Sequence, residues 1–173
     1  MAAFTVIQAA ELGADAASFT ISSIASSYDH LYLTISVRDS KSAYYNNFEF
    51  RFNGASSPYS NTYLLAGTAT PTSTRDTGVG DVISLCGGDS LLADTFSTTT
   101  RWIPHYSNTA NDKQCIIKSV VPNNSTTDNQ WYIAMTAGLW GSTDAIDEIR
   151  VKGEGGSELK QYTSYVLYGI TGA

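Results

Sequence analysis

Strict alternation of apolar and polar residues is the feature that most constrains this chain, and the stretch LYLTISVR shows it most plainly. Leu31, Leu33, Ile35 and Val37 fall on one side of an extended backbone, and Tyr32, Thr34, Ser36 and Arg38 on the other. That is the period of a strand with one buried and one wet face. FEFRFN repeats it, with Phe48, Phe50 and Phe52 against Glu49, Arg51 and Asn53. Stretches rich in β-branched and aromatic residues extend the pattern over 4–8, 18–24, 63–66, 82–86, 99–106, 114–121, 130–137, 148–152 and 163–170. Between them, RDSKSAYYNN, VPNNSTTDN and KGEGGSE carry turn chemistry. Only GADAAS and DSLLADTF suit a helix, for a turn or two. The expected fold is all-β: an antiparallel β-sandwich, jelly-roll-like, of roughly eight to ten strands with one long loop insertion. Residues 1–16 form an N-terminal arm or first strand, and 17–173 a single sandwich domain. The long loop is placed at 67–98, because the Thr, Gly and Asp of 67–81 show no periodicity.

Composition narrows the function. Of the 173 residues, 42% are hydrophobic and 15% charged, which suits an ordinary globular core and not a disordered chain. The formal charge of -6 and ten scattered basic residues argue against a nucleic-acid partner, which would need clustered Lys and Arg. No apolar run is long enough to span a bilayer, and the start, MAAFTVIQAAELGADAAS, lacks the basic and apolar regions of a secretory signal. A soluble chain made in a cytoplasm, without membrane partners, is expected. Cys86 and Cys115 have neither metal-ligand spacing nor the density of a disulfide framework, and are expected to be reduced and buried.

Three motifs suggest chemistry, and each has a plainer explanation. GGDSLLAD contains Gly88, Asp89, Ser90 and Leu91, the nucleophile block of GDSL hydrolases. That chemistry needs a histidine base oriented by an aspartate. Neither His30 nor His105 has such an aspartate, and no histidine follows His105. A Gly-Gly turn with a polar cap explains the same residues. Two isolated histidines and two isolated cysteines give no zinc site, and neither STRDTGVGD nor PNNSTTDN fits a calcium loop. GLWGSTDAIDEIRV gathers Asp144, Asp147 and Glu148 beside Trp140. Adjacent Asp147 and Glu148 point to opposite faces of a strand, so they cannot face each other across a sugar as a glycosidase requires. The expectation is therefore no catalysis, no cofactor and no metal.

Exposed aromatics are the stronger clue, because large rigid rings are enriched in contact surfaces. Tyr44, Tyr45 and Tyr59 cluster around loops, and Trp140 sits at a strand end. Several blocks together, IASSYDHLYL, FRFNG with YS, GLWGSTDAIDEI and YVLYGI, resemble a family of small β-sandwich modules of tailed-bacteriophage virions. Such modules occur as capsid decoration proteins and as domains of tail and head fibres. The resemblance runs from about Ser18 to Ile170 and includes no catalytic residue. It implies a virion protein that binds the outer capsid surface as a homotrimer and stabilises the shell, its partners being the major capsid protein or other virion proteins. The alternative is a fibre module that binds a host-surface glycan. The expected interface residues are Phe4, Ile7 and Leu12 in the arm, Arg75 in the long loop, and Tyr44, Tyr45, Tyr59 and Trp140.

Overall fold

The computed structural model describes residues 3–67, 70–80, 82–124, 126 and 130–172. Among them the chain forms twelve strands: β1 (Ala3–Glu11), β2 (Ser18–Ile21), β3 (His30–Val37), β4 (Tyr45–Phe52), β5 (Tyr59–Ala66), β6 (Thr72–Val79), β7 (Val82–Gly87), β8 (Ser97–Pro104), β9 (Lys113–Val121), β10 (Tyr132–Trp140), β11 (Ile149–Gly153) and β12 (Ser164–Thr171). A single short 3₁₀ turn covers Glu154–Gly156. Neither GADAAS nor DSLLADTF is helical. Both are too short to repay helix nucleation without an apolar stripe to dock.

All the paired strands run antiparallel, in two sheets. The large sheet has the order β1-β12-β3-β8-β9-β10-β5-β6, and the small sheet β2-β11-β4-β7. The fold is thus an all-β sandwich, but a lopsided one, with eight strands against four. Alternation produced the core as expected. Leu31, Leu33, Ile35 and Val37 of β3 meet Phe48, Phe50 and Phe52 of β4 in one buried cluster, each with no exposed surface. Gly138 lets β10 approach the small sheet, since a Cβ there would lie 2.6 Å from Val82 Cγ1 and 2.9 Å from Cys115 Sγ.

One expectation is corrected. The long loop at 67–98 holds a strand that was not expected, Thr72–Val79 (β6), hydrogen-bonded along β5, while Val82–Gly87 (β7 of the small sheet) is the strand expected over 82–86. Residues 68, 69 and 81 of that stretch lie outside the described residues. β6 is an edge strand exposed along nearly its whole length, so burial imposes no alternation on it. Of the two alternatives for the N-terminal stretch, an arm or a first strand, the chain takes the strand. From Ala3 to Glu11 it pairs with β12 and forms the other edge of the large sheet, with a register shift between Val6 and Gln8.

Candidate interaction surface

The motif-bearing segments turn out to be structural. In GGDSLLAD the loop wraps around Arg38, whose guanidinium donates to the carbonyls of Leu92 at 2.6 Å and of Asp89 and Leu91 at 3.2 Å. The Asp89 carboxylate pairs with the same guanidinium at 3.4 Å. Ser90 therefore sits near the C-terminal end of β3, whereas His30 begins that strand and packs against His105 with ring centroids 4.7 Å apart. The length of β3 separates the serine from both imidazoles by roughly 25 Å at ordinary strand rise, so the parts of a hydrolytic triad are not assembled there.

In GLWGSTDAIDEI the carboxylates diverge. Asp144 and Asp147 are exposed and Glu148 is half-buried, while Ile146, Ile149 and Val151 are buried. The loop is held by Asn53, whose Oδ1 accepts the amides of Asp147 at 3.0 Å and Glu148 at 3.1 Å and whose Nδ2 donates to the Ala145 carbonyl at 2.7 Å. Asn53 itself adopts a left-handed conformation (φ 50°), which asparagine tolerates better than most residues. FRFNG and DAIDEI, far apart in sequence, are thus one hydrogen-bonded unit. Lys113, almost fully buried, donates to the carbonyls of Asn111 and Thr143, and burial lowers its pKa.

Trp140 and Tyr59, expected at the interface, belong to the core, and both expectations are corrected. Their exposures are 3% and 2%. Trp140 lies 5.7 Å from Phe52 and 6.1 Å from Tyr59 between ring centroids, and Tyr59 Oη accepts the Phe52 amide at 2.9 Å. As each ends or begins a strand on the inward phase, the sandwich closes over them. Ile7 and Leu12 are half-buried and pack against the main core cluster. Tyr45 is half-buried against Tyr132, with centroids 4.0 Å apart. Phe4, Tyr44 and Arg75 are exposed, Phe4 by 61%. The eight residues do not form one patch: Phe4 and Arg75 lie on opposite edge strands of the large sheet, and Tyr44 precedes β4 of the small one.

Cys86 and Cys115 are both buried free thiols. Burial raises the pKa of each, that of Cys115 to about 11, as suits packing side chains rather than nucleophiles. Arg101 is also core: its guanidinium lies 3.5 Å over the Phe50 ring and donates to Ser84 Oγ. Asp39, fully buried, accepts hydrogen bonds from Asn46 Nδ2, Ser157 Oγ and the Lys41 amide, so this carboxylate is committed to tying loops together. Among the described residues no three His, Cys, Asp or Glu side chains come together as metal ligands.

What stands out instead is the contrast between the two outer faces of the sandwich. The outer face of the small sheet is ionic: Glu49 takes Lys152 at 2.7 Å and Arg51 at 3.4 Å, with Arg150 alongside. The outer face of the large sheet is apolar. Ile116 and Val120 of β9, Ile133, Met135 and Leu139 of β10, and Leu64 of β5 all point outward there and are between 41% and 55% exposed. Registers align them with further apolar rows. Trp102 stands opposite Ile116 and Tyr32, and Tyr32 opposite Tyr168, while Phe4 on β1 meets Tyr32 and Tyr168 edge-on. Phe4 and Tyr32 thus extend the face toward the N-terminal edge.

None of these sheet-face aliphatics was identified from the sequence, although their signal was present. β9 reads CIIKSVV and β10 reads IAMTAGLW, apolar in both phases, as expected for strands covered on both sides. Comparison with protein-family models, curated proteins and solved structures gives no match. The surface must therefore be interpreted from its own geometry and chemistry.

Proposed function

We propose that this chain is a structural protein of a bacteriophage virion, a decoration or cement protein that binds the outer capsid surface as a trimer and stabilises the shell. The observation that supports a binding role is the apolar outer face of the large sheet, because the largest bare apolar patch of a soluble protein is often functional. The placement on a virion comes from the resemblance of the YDHLYL, FRFNG, GLWGSTDAIDEI and YVLYGI blocks. The mechanism is linkage. A protein that binds the assembled shell better than its separate parts stabilises the shell by mass action.

The test is stoichiometry combined with shell stability. Particles that carry the protein should hold hundreds of copies, and stripping it should lower the capsid melting temperature, with recovery on adding it back. A handful of copies at a tail tip would sink the decoration role.

A second reading, a glycan-binding fibre module, is favoured by one feature. Tyr44 lines a shallow depression with Leu92, Ser90, Asn123, Asn124 and Gln130, an exposed ring beside amides and a hydroxyl of the kind that stack on and hydrogen-bond to sugars. Reproducible glycan-array binding lost in Tyr44→Ala would favour it. Trp140, being buried, is not available for that role.

A further inference from the structure

We propose that the bare face of the large sheet is the self-association surface, covered by other copies of this same chain. The inference rests on the structural-protein reading above and specifies which partner occupies the face: not the capsid protein, but a second copy.

Size is the first argument. The apolar outward residues run from β12 across β3, β8, β9 and β10 to β5, six adjacent strands. At ordinary strand spacing that is roughly 25 Å, and the span from Ile133 to Leu139 adds roughly 20 Å along the strands. The projected rectangle, which also encloses Thr34, Thr98, Thr100 and Lys118, is about 500 Å², within the range of the largest patches that monomers leave exposed. Its accessible area, larger because the side chains stand proud of the sheet, is of the order of the ~800 Å² per partner that stable complexes hide.

Electrostatics select the partner. The chain has 16 Asp and Glu residues against 10 Lys and Arg, so two copies repel each other over most possible contacts. The outward positions of the large sheet are different. From β12 to β6 the registers place apolar and hydroxyl side chains there together with Lys118 and Arg75, and the carboxylate on this side is the exposed Glu11 of β1, opposite Ser164 at the edge of the sheet. Over the strands from β12 to β6, with Glu11 left at the rim, acidic copies can meet without juxtaposing carboxylates.

The polar groups present suit self-contact as well. Most are hydroxyls of Thr34, Thr98, Thr100, Thr62, Tyr32 and Tyr168, each able to donate and accept, and therefore complementary to their own kind. Lys118, in register with Thr100 and Met135, brings the ammonium that such a contact must accommodate, and the neighbouring hydroxyls are its acceptors.

The test is the mass of the full-length protein in solution, by light scattering coupled to size exclusion, for wild type, Met135→Glu and Ile116→Lys, with Thr20→Glu on the small sheet as control. The wild type and the control are expected at the same multiple of 18.6 kDa, and the two face variants at one-fold that mass. Both substitutions replace side chains that already project into solvent, and an unchanged far-ultraviolet circular dichroism spectrum verifies the fold. Because their charges are opposite, one variant suffices if the other fails to fold. A monomeric wild type, or face variants that keep the wild-type mass, overturns the inference. Variants that keep their mass but no longer bind stripped particles would assign the face to the shell and leave the decoration role intact. Variants that fall apart as expected, from a wild type that never binds particles, would do the reverse.

Discussion

Trp140 shows how much a residue's meaning depends on its phase in the strand. Beside Gly141 and a run of carboxylates it looks like a side chain offered to a partner, yet it is 3% exposed and flanked by Phe52 and Tyr59. Its removal leaves a cavity that rigid rings cannot fill. Trp140→Ala should therefore cost about 3–5 kcal/mol of folding stability, as large aromatic truncations in cores do. Urea unfolding followed by circular dichroism measures it, and a loss below about 1 kcal/mol, the range of surface substitutions, would show that the ring is not part of the core. Tyr44→Ala, at an exposed position, should leave the same midpoint nearly unchanged. Asn53 teaches the complementary lesson: its role, three hydrogen bonds to a loop nearly a hundred positions away, has no local signature beyond the NG dipeptide.

At the scale of elements, strands with one dry and one wet side were legible and the others were not. β3, β4 and β11 alternate because the small sheet or the core covers one face and water the other. β6, with Thr, Ser, Arg, Asp and Gly and little buried surface, had nothing to alternate, so it looked like a loop. β9 and β10 failed in the opposite way. Their outward residues are as apolar as many core positions, so their exposed rows are indistinguishable from core in the sequence. Aromatic residues in loops draw attention to exposed Tyr44, whereas nothing in the alternation marks Ile116, Ile133 and Met135 as exposed. The same distinction predicts local stability, since edge strands with few buried side chains open at low cost. Native-state amide exchange should be fastest in β1 and β6 and slowest in β9 and β10, where each strand is paired on both sides. Protection of β6 equal to that of β9 would contradict the edge assignment.

For the whole molecule, the division of labour between the sheets determines how association should respond to solvent. Contact through the large sheet would hide hydrocarbon and hydroxyls and few charges, so added salt has little attraction to screen. Excluded salts such as ammonium sulfate should strengthen self-association, because they favour burial of apolar surface. Sedimentation equilibrium across a salt series checks this. Dissociation on raising sodium chloride would instead point to ion pairs, such as those of Glu49, Arg51 and Lys152 on the small sheet.

The unequal outer faces have one more consequence, which concerns water itself. A body about one domain across, ionic on one broad side and oily on the other, is an amphiphile with a fixed orientation. At an air–water boundary it would lie with Ile133, Met135 and Leu64 toward the air and Arg51, Arg150 and Lys152 in the liquid. Any skin assembled from such units inherits that polarity, so the small sheet decides what the finished surface shows to its surroundings.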